Sequence, residues 1–285
     1  MSKISRPLRS ALYIPGSKPR ALDKARTLAC DAILFDLEDA VTPDEKDAAR
    51  ATLAAALEVG GYGTRLKVVR INALDTQWGA DDARAVVAMQ PDAVLLPKVS
   101  GPEDLDALAK ITGDLPIWAM METPIGLLNA PAIAAHEALQ VMVMGTNDLA
   151  KDLQTRFRPD RLPLMTGLGL CLLAAKAHGC GIVDGVYNAF KDDDGLRAEC
   201  EQGRDMGFDG KTLIHPAQLD VAYDACSPSG EETDTARRQI AAFEEAQAAG
   251  QGVAVVDGKI VENLHVATAR ETLAKVEAIA ALSSE

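Results

Sequence analysis

Two carboxylates in this chain stand where a cation could be held. Glu122 ends the run Trp118-Ala119-Met120-Met121-Glu122, and Asp148 closes Gly145-Thr146-Asn147-Asp148 after the apolar stretch 141–144. They lie about 26 residues apart, roughly one strand-plus-helix unit of a parallel α/β fold. Two acids at the same end of adjacent strands make a hard-cation site. Mg2+, or Mn2+ in its place, uses such sites while keeping open positions for an oxygen-rich ligand. The alternative use of these acids is helix capping or a salt bridge.

Other strand ends add to the set. Arg70 in Val68-Val69-Arg70-Ile71-Asn72 could grip a carboxylate in bidentate fashion or steady a developing enolate oxygen, or it could simply pair with Asp36 or Glu38. Asp36 and Glu38 fall on one strand face, with Asp39 nearer the loop. They are read as groups that hold metal-bound water or position Arg70. Gly145, Thr146, Asn147 and Asp148 could offer successive backbone N–H groups to an anion. Lys98 raises imine chemistry, but its neighbours Pro97 and Val99 do not establish the depressed pKa that this needs, and the paired acids favour a metal route. His136, His178, His215 and His265 show no metal spacing, and His215 reads as structural.

Positioning these groups needs a repeated strand-helix scaffold. Eight apolar runs recur at 10–15, 32–37, 66–71, 93–98, 117–122, 141–145, 181–186 and 211–215. Helical patterns lie between them, including 43–57, 80–89, 102–111, 164–178 and 195–206. Strands buried on both faces and alternating with helices imply a (β/α)8 TIM barrel, whose function gathers at the carboxyl ends of the strands. The rival, an open doubly wound sheet, would be expected to carry a glycine-rich dinucleotide loop, and Gly16-Ser17-Lys18 is not one.

The pattern breaks after Cys226. The expected division is a catalytic barrel over 1–226 and an extension over 227–285. The extension reads as a helix, a hairpin turning at Asp257-Gly258, and a last helix, suited to a lid or a subunit contact.

With 285 residues and a net charge of −13, the chain can bury a full core and does not suggest a nucleic-acid partner. No apolar run approaches the roughly 20 residues of a membrane span. Residues 1–6 lack the apolar centre of a signal peptide, and the five cysteines are scattered. A cytoplasmic protein without membrane contact is expected.

The sequence also resembles a known family. Leu8-Arg9-Ser10-Ala11-Leu12-Tyr13-Ile14-Pro15-Gly16 is similar to the opening of citrate lyase β-subunit-like proteins of the HpcH/HpaI aldolase superfamily. Asp36-Leu37-Glu38-Asp39-Ala40-Val41-Thr42-Pro43, Glu122-Thr123-Pro124, Gly145-Thr146-Asn147-Asp148-Leu149 and Gly210-Lys211-Thr212-Leu213-Ile214-His215-Pro216 extend the likeness. It reaches Asp257-Gly258-Lys259-Ile260-Val261, so it covers nearly the whole chain.

The resemblance implies a Mg2+-dependent acyl-CoA lyase of the malyl-CoA and citramalyl-CoA lyase group. Its partners would be a CoA thioester and a small 2-oxo acid. The assembly would be a homotrimer, or a dimer of trimers, with a lid lent to the neighbouring subunit. Glu122 and Asp148 match the metal ligands, Arg70 the arginine on the substrate oxygen, and Gly145–Asp148 the carboxylate cradle. Gly16 and Lys18 match the loop near CoA. Relatives commonly carry a catalytic aspartate in the tail, where this chain has Glu262. The resemblance puts retro-aldol C–C cleavage first, with Arg70 and the metal holding negative charge and Glu262 protonating the enolate. Hydrolysis of malyl-CoA to malate and CoA is the alternative, and a citrate lyase β subunit acting on a carrier-bound citryl group is the second.

Overall fold

The computed structural model describes residues 3, 4 and 6–283. Eight parallel strands close into a barrel in chain order. They are β1 (Ser10–Pro15), β2 (Ala32–Asp36), β3 (Leu66–Arg70), β4 (Ala93–Leu96), β5 (Ile117–Met121), β6 (Leu139–Met144), β7 (Gly181–Asp184) and β8 (Gly210–Leu213). Strand β1 pairs with both β2 and β8, which excludes the open sheet.

Period-two alternation sorts the strand residues into two cores. Ala32, Leu34, Val68, Leu95, Trp118 and Met120 pack with one another inside the barrel. Ile33, Phe35, Val69, Val94 and Ala119 pack outward with residues such as Leu53 of the helix Lys46–Val59 and Leu105 of the helix Pro102–Thr112. Extending the inner set by two residues along each strand reaches Tyr13, Asp36, Arg70 and Glu122. Pro15 lies opposite Asp36, and Asp36 opposite Arg70, so Asp36 and Arg70 share one level.

Most strands stop a residue or two short of the apolar runs. Strand β4 ends at Leu96 because Pro97 lacks a ladder N–H and Lys98 turns to φ 54°. Glu122 and Gly145 become the first loop residues after β5 and β6. The stretch expected as one helix over 43–57 splits into a 3-10 turn, Pro43–Glu45, and the helix Lys46–Val59. Lys46 marks the junction, its buried Nζ donating to the carbonyls of Leu37 and Glu38 at 3.0 and 2.7 Å. That pins the loop carrying Glu38. The helices Pro19–Ala25, Thr146–Asp152 and Leu219–Cys226 are too short to show a period in the sequence.

Asp184 also ends a strand, as Asp36 does, but the structure turns it away from the cavity at the strand ends. It shares the parity of Ile182, which packs in the outer layer. There it meets Lys211 Nζ at 3.2 Å and Arg161 Nη1 at 2.6 Å, and Lys211 also reaches Glu199 at 2.6 Å. Burial works against the Asp184 charge, but Lys211 and Arg161 outweigh it and hold the carboxyl below its ordinary range. Its stabilising effect is present above the unfolded value of about 3.9 and is lost as pH falls through the lowered one. Asp184→Ala leaves Glu199 as the one carboxylate beside two buried cations and is expected to cost about 3 kcal/mol in urea unfolding. A loss under about 1 kcal/mol would show that the cluster is solvated.

The chain divides into two compact units, with the boundary after Cys226. In the second unit, Ser229 and Glu232 cap the helix Gly230–Ala248 reciprocally. Strands β9 (Ala254–Val256) and β10 (Lys259–Val261) pair antiparallel. Asp257 and Gly258 both take positive φ, as a tight Asp-Gly hairpin turn requires. The helix Asn263–Ser283 follows, and Phe243, Ala246, Ala254, Val261 and Val266 form the unit's core. Among the described residues, no helix is long and apolar enough to cross a membrane.

Candidate active site

A cavity of about 340 Å³ is lined by residues at the carboxyl ends of the strands. Its lining brings Asp36, Arg70, Glu122, Gly145, Thr146, Asn147 and Asp148 together. Tyr13, Met120, Asn188 and Thr212 join them.

Arg70 is the most constrained of these groups. Its Nε and Nη2 donate to the two oxygens of Asp36 at 2.8 and 2.6 Å, a bidentate fork. Both partners are buried, at 7% and 1% exposure. Asp36 also accepts from the backbone N–H groups of Glu38 and Ala40 at 2.8 and 3.0 Å. Each Asp36 oxygen thus takes two donors, so this carboxylate positions Arg70 and has little capacity left for water or metal. Glu38 Oε2 lies 2.8 Å from Arg70 Nη1, but off the N–H direction, so it gains the charge and no hydrogen bond. Burial pushes the Glu38 carboxyl up to about 8, against the pull of Arg70 and with the push of Asp39 and Glu122.

Glu122 is 2% exposed. Its Oε1 accepts from the Lys98 backbone N–H at 2.8 Å. Burial raises its carboxyl to about 7, the Lys98 N–H lowers it, and the Asp148 charge raises it again. Gly145 follows β6 hard against this side chain, where a Cβ would collide with the Glu122 carboxylate. Asp148 stands in the first turn of the helix Thr146–Asp152, whose initial N–H groups have no acceptor within the helix. Asn147 and Asn188 exchange amide hydrogen bonds at 3.2 and 2.8 Å, tying the loops after β6 and β7.

The donor set fits Mg2+, and Mn2+ could use the same oxygens. Glu122 and Asp148 offer hard oxygens to one open cavity, and Glu122 Oε2 is turned from the Lys98 contact. Among the described residues no group of three or more His, Cys, Asp or Glu side chains gathers as a metal cage. A cation here would therefore complete its shell with water or substrate, as Mg2+ commonly does. Below about pH 7 a proton competes for Glu122, so Mg2+ affinity is expected to fall toward tenfold per pH unit there. Calorimetric titration from pH 5.5 to 8.5 checks this, and a flat profile would remove Glu122 from the ligand set.

The remaining expected residues sit elsewhere. Gly16 packs on β2, its N–H donating to the Asp36 carbonyl at 2.8 Å, and Lys18 is exposed and paired with Glu45. Neither lines the cavity. Lys98 is held charged, because Glu38, Asp148 and Glu122 outweigh its burial. That is the reverse of what an imine-forming lysine needs. His215 caps the 3-10 turn after β8 and packs on Phe190, a structural role. Glu262 is exposed in the second unit, just before the helix Asn263–Ser283. Tyr13 and Met120 were not singled out from sequence for this site, whereas Asn188 stands among the polar residues that follow the strand runs and does line the cavity. The available signal was parity, since Tyr13 and Met120 fall on the inward positions of β1 and β5.

The HpcH/HpaI aldolase/citrate lyase family matches residues 9–216. The chain belongs to this family. It is 66% identical over 284 residues to a protein of Cereibacter sphaeroides named (3S)-malyl-CoA thioesterase, covering 100% of both. It is 34% identical to the citrate lyase subunit beta of Escherichia coli, over 96% of this chain and 94% of that one. A crystal structure of CitE from Mycobacterium tuberculosis in complex with magnesium, acetoacetate and coenzyme A aligns with TM-score 0.82 and 30% identity. That alignment covers 96% of this chain and 99% of the other.

Proposed function

We propose that this protein hydrolyses (3S)-malyl-CoA to malate and coenzyme A, with Mg2+ held by Glu122 and Asp148. The observation that carries the reading is the 66% identity, end to end, with a protein of that name. The comparisons favour hydrolysis over the C–C cleavage that the resemblance put first.

The site's chemistry supports the reading. Bound there, Mg2+ would supply Lewis acidity and a fixed point for the oxygens of the hydroxy acid. The first-turn N–H groups at Thr146–Asp148 would take the malyl carboxylate. Arg70, clamped by Asp36, would present its remaining N–H groups to the thioester oxygen as charge develops on it. Glu262 would serve as an acid/base group delivered by a neighbouring chain of a homotrimer, with the second unit as the lid. Gly16 and Lys18 would border the CoA path.

The test is a parallel assay of free thiol and 2-oxo acid, on (3S)-malyl-CoA with Mg2+. Free thiol without oxo acid is expected. Oxo acid without free thiol would return C–C cleavage to first place, on a site that could hold the same oxygens.

A further inference from the structure

Tyr13 carries a hydroxyl that the fold does not need. It stands on the inner face of β1, and its ring lies under the Arg70 guanidinium at 4.8 Å. A phenylalanine would fill that place and keep the stacking. The hydroxyl donates to the Met120 thioether at 3.4 Å, and sulfur is a weak acceptor. A tyrosine hydroxyl out of bulk water normally finds an oxygen or nitrogen partner. Tyr13 and Met120 both line the cavity, beside Arg70 and Glu122. Burial, with Asp36, Glu122 and Glu38 adding to it against Arg70, pushes the phenol well above its usual range. It therefore stays an O–H donor at neutral pH and cannot act as a base.

We propose that the Tyr13 hydroxyl donates a hydrogen bond to the thioester carbonyl oxygen of the bound substrate, as a second donor beside Arg70. This rests on the hydrolysis reading. In that reaction a water oxygen bonds to the carbonyl carbon, and the C=O electron pair moves onto the oxygen that Tyr13 and Arg70 hold. Collapse re-forms the C=O and breaks the C–S bond, and the proton lost by water ends on the CoA thiolate. Tyr13 neither gains nor loses a proton. Its bond strengthens as the oxygen charges, so it acts on kcat more than on KM.

The experiment is Tyr13→Phe in the full chain with Mg2+ and (3S)-malyl-CoA. A fall in kcat of about 100-fold is expected, with KM within about threefold and an unchanged melting temperature. Fluorotyrosines incorporated at position 13 keep ring and hydroxyl while making the phenol more acidic. Their kcat is expected to vary with that acidity, which a packing role would not produce, and this arm stands even if the phenylalanine variant fails to fold. Wild-type kcat in Tyr13→Phe, or no dependence on phenol acidity, overturns the role of Tyr13 while the wild-type enzyme still releases CoA. A wild-type enzyme that releases no CoA overturns both readings.

Discussion

Glu122→Gln is expected to lower kcat/KM by at least about 10³-fold and to abolish Mg2+ binding, without unfolding the protein. The amide oxygen can still accept from the Lys98 N–H, so the loop after β4 keeps its anchor. The stability effect has a definite sign. The Glu122 carboxyl is raised from 4.5 to about 7 by burial, so the metal-free native protein loses stability as pH rises through that value. Glutamine is neutral throughout. The metal-free variant is therefore expected to be more stable than metal-free wild type at pH 8, on the order of 1–3 kcal/mol. Mg2+ should raise the melting temperature of wild type and leave the variant unmoved. A variant that melts lower at pH 8 and still responds to Mg2+ would place the cation elsewhere.

Arg70→Met is expected to be costly twice over. It removes the cation that pairs with buried Asp36, and leaving that charge unpaired costs about 3–5 kcal/mol. It also removes the donor aimed at the reacting oxygen, so kcat should fall by about 10³-fold or more. Adding Asp36→Asn separates the two effects. The double variant should regain much of the stability and none of the activity, because neutralising Asp36 relieves the stranded charge and restores no donor. Recovery of activity in the double variant would mean that Arg70 serves the fold alone. Arg70→Lys keeps the charge and loses the fork, and should behave nearer to Met than to wild type in kcat.

These residues differ in how far the sequence reveals them. Glu122, Asp148 and Arg70 each end or closely follow an apolar run, so the strand pattern alone puts them at one end of a barrel. The structure adds what spacing cannot carry. Asp36 is saturated by two backbone N–H groups and the Arg70 fork, and the loop that bends to make this depends on Lys46 reaching back to Leu37 and Glu38. Asp184 has the sequence look of a site residue and the parity of a packing one, and the parity wins. Tyr13 is hidden for the opposite reason. An aromatic residue within a strand reads as core, and only the weak acceptor beside its hydroxyl marks it out. The choice between hydrolysis and C–C cleavage was the least legible, since Glu122, Asp148 and Arg70 suit both reactions.

The most direct test uses (3S)-malyl-CoA and Mg2+ in water enriched in 18O, with mass spectrometry of every product at early times. Hydrolysis predicts malate carrying one 18O atom in the new carboxylate, formed in step with free CoA. Glyoxylate and acetyl-CoA, with no labelled malate and no free CoA, would contradict it.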